Sequence, residues 1–174
     1  NFIPMLKQFD DNVLSLIGYS ASKTFTLYGL RTGAVMCMAQ EKAVAEEFRR
    51  VFEFSSRNTW SNCVRSGQQL IANIYNSDEA LKKVEEERAD FRNMLLARGR
   101  AFEEAAKISN LKTVPFVSGF FICVECDDSV KVSELLTEYG IFAVPLAKGI
   151  RISIASINEK QCKRVVEVLK EIGF

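Results

Sequence analysis

The stretch Ser20-Ala-Ser-Lys-Thr-Phe-Thr-Leu-Tyr-Gly-Leu-Arg-Thr-Gly33 lies between two short apolar runs of the 174-residue chain. The flanking runs, VLSLIG (13–18) and GAVMCMA (33–39), predict two buried strands because each is short, apolar and free of charge. The polar segment of small residues between them predicts a loop. This loop carries Lys23, which has a hydroxyl residue on each side and Arg31 eight residues further on.

Lys23, Ser20, Ser22 and Arg31 carry the groups that a phosphate-bearing aldehyde requires. Partial desolvation and a nearby cation both favour the neutral, nucleophilic form of a lysine amine. Two hydroxyls and a guanidinium are suitable donors for a phosphate. Pyridoxal phosphate needs a reactive amine beside such a cradle. A solvated lysine in a surface loop accounts for the same residues, and the pattern alone leaves both interpretations open.

Composition and charge exclude several classes of function. The chain has 23 Lys and Arg against 22 Asp and Glu, so its net charge of +1 predicts neither a nucleic acid nor an anionic membrane as a partner. It has no histidine, which excludes a His-ligated metal and a Ser-His or Cys-His nucleophile. No apolar run approaches the roughly 18 residues that span a bilayer. We therefore expect no metal site, no nucleic acid and no membrane partner.

The five cysteines predict a reducing, cytoplasmic compartment. Their odd number and irregular spacing do not suggest a disulfide framework. Cys123 and Cys126 form a C-x-x-C, the usual half of a zinc or redox site, but no second pair completes it. The surrounding segment GFFICVEC predicts a strand, on which residues three apart point to opposite faces. We interpret the two thiols as small buried apolar side chains.

Apolar periodicity predicts the remaining elements. Residues 3–9 suggest the end of a short helix. Two lone strands before residue 77 make a poor core, so the first part of the chain looks like a piece of a larger fold. The later part predicts a small layer of strand, helix, strand, strand and helix. The predicted helices are 40–54, 64–75, 78–108, 129–140 and 158–172, and the further strands are 120–126, 141–146 and 149–156.

The motif S-x-S-K-x-x-x-x-Y-G-x-R-x-G at residues 20–33 resembles the pyridoxal-lysine signature of class I aminotransferases, the aspartate and aromatic group of the fold type I enzymes. The resemblance implies that Lys23 forms a Schiff base with pyridoxal 5'-phosphate and then moves a proton as general base and acid. It also implies that Arg31 and Ser20 grip the cofactor phosphate with support from Ser22. Tyr28 and Gly29 are implied to be structural.

Two further segments resemble the same family in chain order. Arg57-Asn-Thr-Trp-Ser-Asn62 resembles a loop whose arginine reaches the partner subunit's site and pairs with a distal substrate carboxylate, although Cys63-Val64 replace the usual two prolines. Arg151 in GIRISIA resembles the strand arginine that binds the substrate α-carboxylate. Alone, the first arginine reads as a solvated loop charge and the second as an edge-strand residue. The segment 119–121 weakly resembles a site-lining G-x-F, and core packing explains it equally well.

The resemblance implies an α/β chain that is the C-terminal part of the fold type I pyridoxal-phosphate transferase fold. Residues 1–77 would be the remnant of the large cofactor domain, 78–108 a long linking helix and 109–174 the small C-terminal domain. The implied activity transfers the amino group of an acidic or aromatic amino acid to a 2-oxo acid in a homodimer. Since several family elements have no match here, including the aspartate on the cofactor ring nitrogen, the isolated chain is expected to be inactive.

Three other interpretations stay open at this point. The chain could be an aminotransferase-like ligand-sensing domain that keeps the lysine. It could carry out β-lyase or decarboxylase chemistry on the same scaffold. A free-standing α/β interaction domain is the third, and the three ordered matches count against it.

Overall fold

The computed structural model describes residues 3–6, 8–10 and 12–173. These residues form two compact units that divide between Val84 and Glu85. The division falls inside one long helix, which is therefore shared by both units. The predicted domain boundaries at residues 77 and 108, the two ends of that helix, stay a prediction.

The first unit is built from a two-stranded sheet and several helices. The sheet is antiparallel, with Ser15 opposite Met38 and Ser20 opposite Gly33. Its elements in chain order are α1 (Ile3–Leu6), β1 (Ser15–Ser20), α2 (Ala21–Thr24), a 3-10 turn (Tyr28–Leu30), β2 (Gly33–Met38), α3 (Lys42–Thr59), α4 (Arg65–Tyr75) and the start of α5 (Asp78–Ile108).

Both predicted strands of this unit form, the first of them two residues later than the predicted 13–18, but the prediction that they are buried is wrong. Leu16 of β1 is 52% exposed and Val35 of β2 is 53% exposed. Two strands offer too little surface to enclose a core of their own, so their apolar side chains stay in contact with water.

The segment predicted as a loop after β1 begins with one helical turn, α2, that carries Lys23. The Ser20 hydroxyl oxygen accepts a hydrogen bond of 3.3 Å from the Ser22 N–H and so caps this turn. A serine at this position satisfies a backbone donor that a helix start leaves without a partner. The local bond explains why the loop prediction is wrong at residues 21–24.

Helix α3 runs to Thr59 and not to the predicted end at residue 54. Within its last turns, the Asn58 side-chain amide donates to the Phe54 carbonyl at 2.7 Å. The Thr59 hydroxyl donates to the carbonyl four residues earlier in the same way. These bonds satisfy polar side chains inside the helix. Arg57 therefore lies at a helix end, and its predicted placement in a loop is wrong.

The second unit contains a three-stranded antiparallel sheet in the order β3-β5-β4, so that β5 is the central strand. One face of this sheet packs against helices to form the core. The elements are the rest of α5, β3 (Phe121–Glu125), α6 (Ser129–Glu138), β4 (Val144–Leu146), β5 (Gly149–Ser153) and α7 (Glu159–Glu171).

The core of the second unit follows the predicted alternation along residues 149–156. Ile150, Ile152 and Ile154 are 0%, 4% and 0% exposed, while Arg151 and Ser153 between them are only half-buried. Side chains that alternate along a strand point to opposite faces of the sheet. The isoleucines pack with buried side chains from three helices, among them Phe102 of α5, Leu136 of α6 and Val166 of α7.

Helix starts are predicted well in this chain, whereas the strands of the second unit are shorter than predicted, and β5 ends at Ser153 although its strand was predicted to run to residue 156. The Ser77 hydroxyl accepts from the Ala80 N–H at 3.3 Å before α5, and Asn158 forms a capping box with Gln161 at the start of α7. The strand predicted over 141–146 is confined to β4, because the Ile141 N–H is bonded to the end of α6. No helix of the described residues is long and apolar enough to cross a bilayer.

Because Cys162 on α7 is buried, we expect the free energy of unfolding of the second unit to fall at alkaline pH. The side chain is 0% exposed, and burial raises the pKa of its thiol from 9.0 to about 11. The unfolded chain releases this proton near pH 9.0 and the folded chain holds it to about pH 11. The contribution is therefore complete below the lower value and is lost as the pH rises through the higher one.

Between these two pH values the free energy of unfolding should fall less in Cys162→Ala than in the wild type. We expect the difference to be on the order of 2 kcal/mol. Urea unfolding at a series of pH values measures it. Cys63→Ala is the matched control, because Cys63 is exposed and should leave the pH dependence unchanged. Parallel pH profiles for the wild type and Cys162→Ala would contradict the assignment.

Candidate functional site

The segment 20–33 is folded onto itself by buried residues near both ends. The Ala21 N–H donates to the Thr32 carbonyl at 3.0 Å, which joins the end of β1 to the start of β2. Ala21, Phe25 and Thr32 are 0%, 8% and 8% exposed. The residues between them form a closed loop whose backbone is fixed from inside, so the exposed side chains project from a defined base.

Lys23 and Arg31 meet at the ring of Tyr28. The Lys23 Nζ lies 4.5 Å from the ring centroid and the Arg31 Cζ lies 5.2 Å from it. Arg31 adopts a φ of 49°, uncommon for a residue other than glycine, and its Nη1 donates to the Tyr28 carbonyl at 2.8 Å. Each cation–π contact at an exposed ring contributes about 0.5–1 kcal/mol. The structure thus brings together the predicted amine and the predicted phosphate-binding cation.

Lys23 was expected to be partly desolvated, and this expectation is wrong because the side chain is exposed. Lys23, Ser20 and Arg31 are all exposed, and Ser22 is half-buried. The small first unit supplies a base for these side chains and leaves their polar ends in contact with water. Ser20 accepts the Ser22 N–H through its oxygen, so its own hydroxyl proton is still able to donate to a phosphate.

Arg57 and Ser20 line one open groove of the first unit, whose volume is about 1270 Å³. The Arg57 Nη1 lies 3.4 Å from the Ser61 carbonyl and 3.3 Å from the Ser61 hydroxyl. Both contacts are at the long end of the hydrogen-bond range, so they hold the guanidinium weakly. The groove walls come from β1, β2 and α3, and include the stacked rings of Phe48 and Phe52 together with Trp60.

Arg151 lies on the central strand β5, opposite Cys123 of β3 and Val144 of β4. The interpretation as an edge-strand arginine is therefore wrong. Its Nε is buried without a hydrogen-bond partner, and its Cζ lies 4.4 Å from the Phe121 ring centroid. A buried donor without an acceptor is costly, and a carboxylate oxygen would satisfy it. The geometry at Arg151 thus suits an anion.

Two aromatic residues contact predicted site cations, although the family resemblance gave one a structural role only and the other a weak match. Tyr28 contacts both predicted cofactor-binding cations, although the resemblance implied only a structural part for it. Phe121, from the weak G-x-F match, holds the guanidinium of Arg151 on the neighbouring strand. Spacing along the chain gives no signal for either contact, because each depends on how turns or strands place the ring against the cation.

The thiols and acidic residues do not form a competing site. In the part of the chain that the structure describes, no group of three or more His, Cys, Asp or Glu side chains could hold a metal. Cys123 and Cys126 are half-buried free thiols. Burial, with the charges of Asp127 and Asp128, raises the pKa of the Cys126 thiol and so disfavours the reactive thiolate. The prediction that both thiols are buried is wrong, because each is only half-buried, whereas the raised pKa of Cys126 favours a structural part over a reactive one.

A sequence profile described as "Aminotransferase class I and II" matches residues 3–169. The chain is 26% identical over 164 residues to an aspartate aminotransferase of Pseudomonas aeruginosa, a match that covers 90% of this chain and 39% of that protein. It is also 26% identical over 163 residues to an aromatic-amino-acid aminotransferase of Escherichia coli, covering 91% and 40%. The chain thus spans about two fifths of the length of these relatives.

The structure is similar to solved aminotransferases. It superposes on an aminotransferase from Anaerococcus prevotii with a TM-score of 0.89 and 33% identity, covering 94% of this chain and 40% of that one. A double mutant of the Thermus thermophilus aspartate aminotransferase gives a TM-score of 0.70 at 23% identity, covering 93% and 41%. The second likeness concerns the fold alone. Both agree with the predicted fold class.

The close approach of α4 to the site loop gives a testable consequence. A Cβ added at Gly67 would collide with the hydroxyl of Thr32 and lie 3.0 Å from its Cβ. We expect Gly67→Ala to lower the unfolding free energy by about 1–3 kcal/mol through overpacking, and to weaken hydrogen-exchange protection of the Ala21 amide. Gly29→Ala is the control, since nothing lies within 4 Å of its added Cβ. Unchanged stability and protection in Gly67→Ala would refute this packing.

Proposed function

The chain belongs to the class I and II aminotransferase family, and we propose from this premise that it forms the C-terminal part of a fold type I aminotransferase. Enzymes of this family generally use pyridoxal phosphate. The relatives named above are an aspartate and an aromatic-amino-acid aminotransferase. The proposed reaction transfers the amino group of an acidic or aromatic amino acid to a 2-oxo acid.

The observation that carries the proposal is the placement of Lys23 and Arg31 against one ring. An aldehyde that bears a phosphate needs an amine at one end and a cation with hydroxyl donors at the other. Lys23 and Arg31 supply the first two within reach of a common platform, and the Ser20 hydroxyl supplies the third. The chemistry of these donors fits the cofactor.

When bound, pyridoxal phosphate supplies an electron sink for the carbanion of an amino acid. Lys23 would hold the aldehyde end through its Nζ and, once displaced by substrate, move the α-proton at that same atom. Arg31 and Ser20 would bind the phosphate, and Ser22 would support Ser20 through its N–H. Each of these steps uses a group that the loop 20–33 presents on its exposed side.

Arg151 and Arg57 are proposed to recognise the substrate carboxylates. The buried, unsatisfied Nε of Arg151 supports a bidentate contact to the α-carboxylate. Arg57 is held weakly by Ser61, so it is free to exchange these contacts for a distal carboxylate. We propose that it does so in the partner subunit of a homodimer.

The five free thiols support a reducing, cytoplasmic compartment, which stays a prediction.

Selective modification of Lys23 tests the proposal. The chain is mixed with pyridoxal phosphate, the Lys23 amine condenses with the aldehyde with loss of one water, and borohydride adds hydride to leave a stable secondary amine. Peptide mass spectrometry then locates the label. We expect Lys23 to be labelled preferentially, because Arg31 and the serines retain the phosphate beside it. Lys23→Arg should lose that label, because the variant lacks the amine. Lys42→Arg is the control, since Lys42 is 89% exposed and fully accessible to the reagent.

Labelling that follows exposure, with Lys42 modified as readily as Lys23, would contradict the proposed site.

Turnover is a separate readout. We expect no transamination of aspartate or tyrosine by this chain alone, because no residue in it matches the family's aspartate on the cofactor ring nitrogen. Measured turnover that disappears in Lys23→Arg would confirm the lysine and show the expected inactivity to be wrong.

A further inference from the structure

We propose that Tyr28 is a positioning residue whose ring presents the Lys23 amine and the Arg31 guanidinium together to one phosphate-bearing aldehyde. The inference rests on the proposed function. It gives a role in the site to a residue for which the family resemblance implied only a structural role. It is carried by the two distances to one centroid, 4.5 Å from the amine and 5.2 Å from the guanidinium carbon.

Packing does not explain the position of this ring. Tyr28 is 63% exposed, whereas the side chains that hold the loop together, Ala21, Phe25 and Thr32, are buried. An exposed ring gains little from the hydrophobic effect, since most of its surface stays in water. Two cations, Lys23 and Arg31, lie within cation–π distance of the Tyr28 ring.

The backbone directs both cations to the ring. Lys23 projects from the single turn of α2, and the chain then reverses through Thr26, whose φ is 53°. Tyr28 opens the 3-10 turn that follows. Arg31, at the end of that turn, has a φ of 49° and donates back to the Tyr28 carbonyl. Two left-handed residues thus close a short loop in which residues eight apart face the same ring.

The ring offsets the cost of holding two positive charges together. Like charges repel, and both side chains are long and lose rotamer freedom when they are held in place. The negative face of an aromatic ring attracts each cation, so it favours the arrangement that repulsion opposes. A leucine at this position is apolar but has no π face, so it would not attract either cation.

Pyridoxal phosphate offers an aldehyde and a phosphate on one rigid ring, and pyridoxal offers the aldehyde alone. If Tyr28 presents the two cations as a pair, its loss should reduce the preference for the phosphorylated reagent. It should have less effect on the reaction with pyridoxal, because that reaction does not use Arg31. The ratio of the two labelling rates at Lys23 therefore reports pairing and not simple reactivity.

The experiment measures this ratio by borohydride trapping and peptide mass spectrometry in the full chain. The variants are Tyr28→Leu, Tyr28→Phe and a matched control in the second unit, Tyr139→Leu, which removes another exposed tyrosine. We expect Tyr28→Leu to lower the preference for pyridoxal phosphate about two- to fivefold, the factor that corresponds to losing one exposed cation–π contact at Arg31. Tyr28→Phe, which keeps the ring, and Tyr139→Leu should retain the wild-type ratio.

Each other outcome overturns the inference. An unchanged ratio in Tyr28→Leu shows that the ring does not pair the cations. An equal loss with both reagents, accompanied by a lower melting temperature, shows a structural part only. If Tyr28→Phe behaves like Tyr28→Leu, the hydroxyl is the acting group. Wild-type chain that shows no preferential labelling of Lys23 refutes the proposed function itself, and this distinguishes the two failures.

Discussion

The bond from the Ala21 N–H to the Thr32 carbonyl is the constraint on which the candidate site depends. It ties the end of one strand to the start of the next, and the buried side chains beside it fix the base of the loop. Lys23 and Arg31 are long, flexible residues, and in an open loop they would sample separate volumes. Because the loop is closed, a ring near its centre reaches both. The chemistry of the site is thus a consequence of backbone closure.

The two units show how much a core needs before it closes. In the second unit three strands and the helices against them exclude water from Ile150, Ile154 and Leu136. In the first unit two strands leave Leu16 and Val35 half in water. Apolar content is similar in the strands of both, so the difference lies in the number of elements available to cover them.

Local signals made the second unit predictable, and non-local ones limited the first. The isoleucine alternation and the cap at Asn158 depend on a few neighbouring residues, so the strands of the second unit and the start of α7 were predicted, although the strands are shorter than predicted. The cap at Ser77 gave the start of the long helix in the same local way. The α2 turn, the burial of β1 and the ring contacts of Tyr28 depend on distant partners or on loop closure. The site residues were found through resemblance, and their grouping could only come from the fold.

The sheet of the first unit has a further consequence for handling the chain. Among the described residues β1 and β2 pair with each other, so the outer side of each strand presents unpaired backbone donors and acceptors. An extended peptide from another molecule finds a ready template there, and the apolar side chains beside it add to the attraction. Concentrated solutions of the isolated chain are therefore inclined to self-associate through strand addition, and dilution opposes this association.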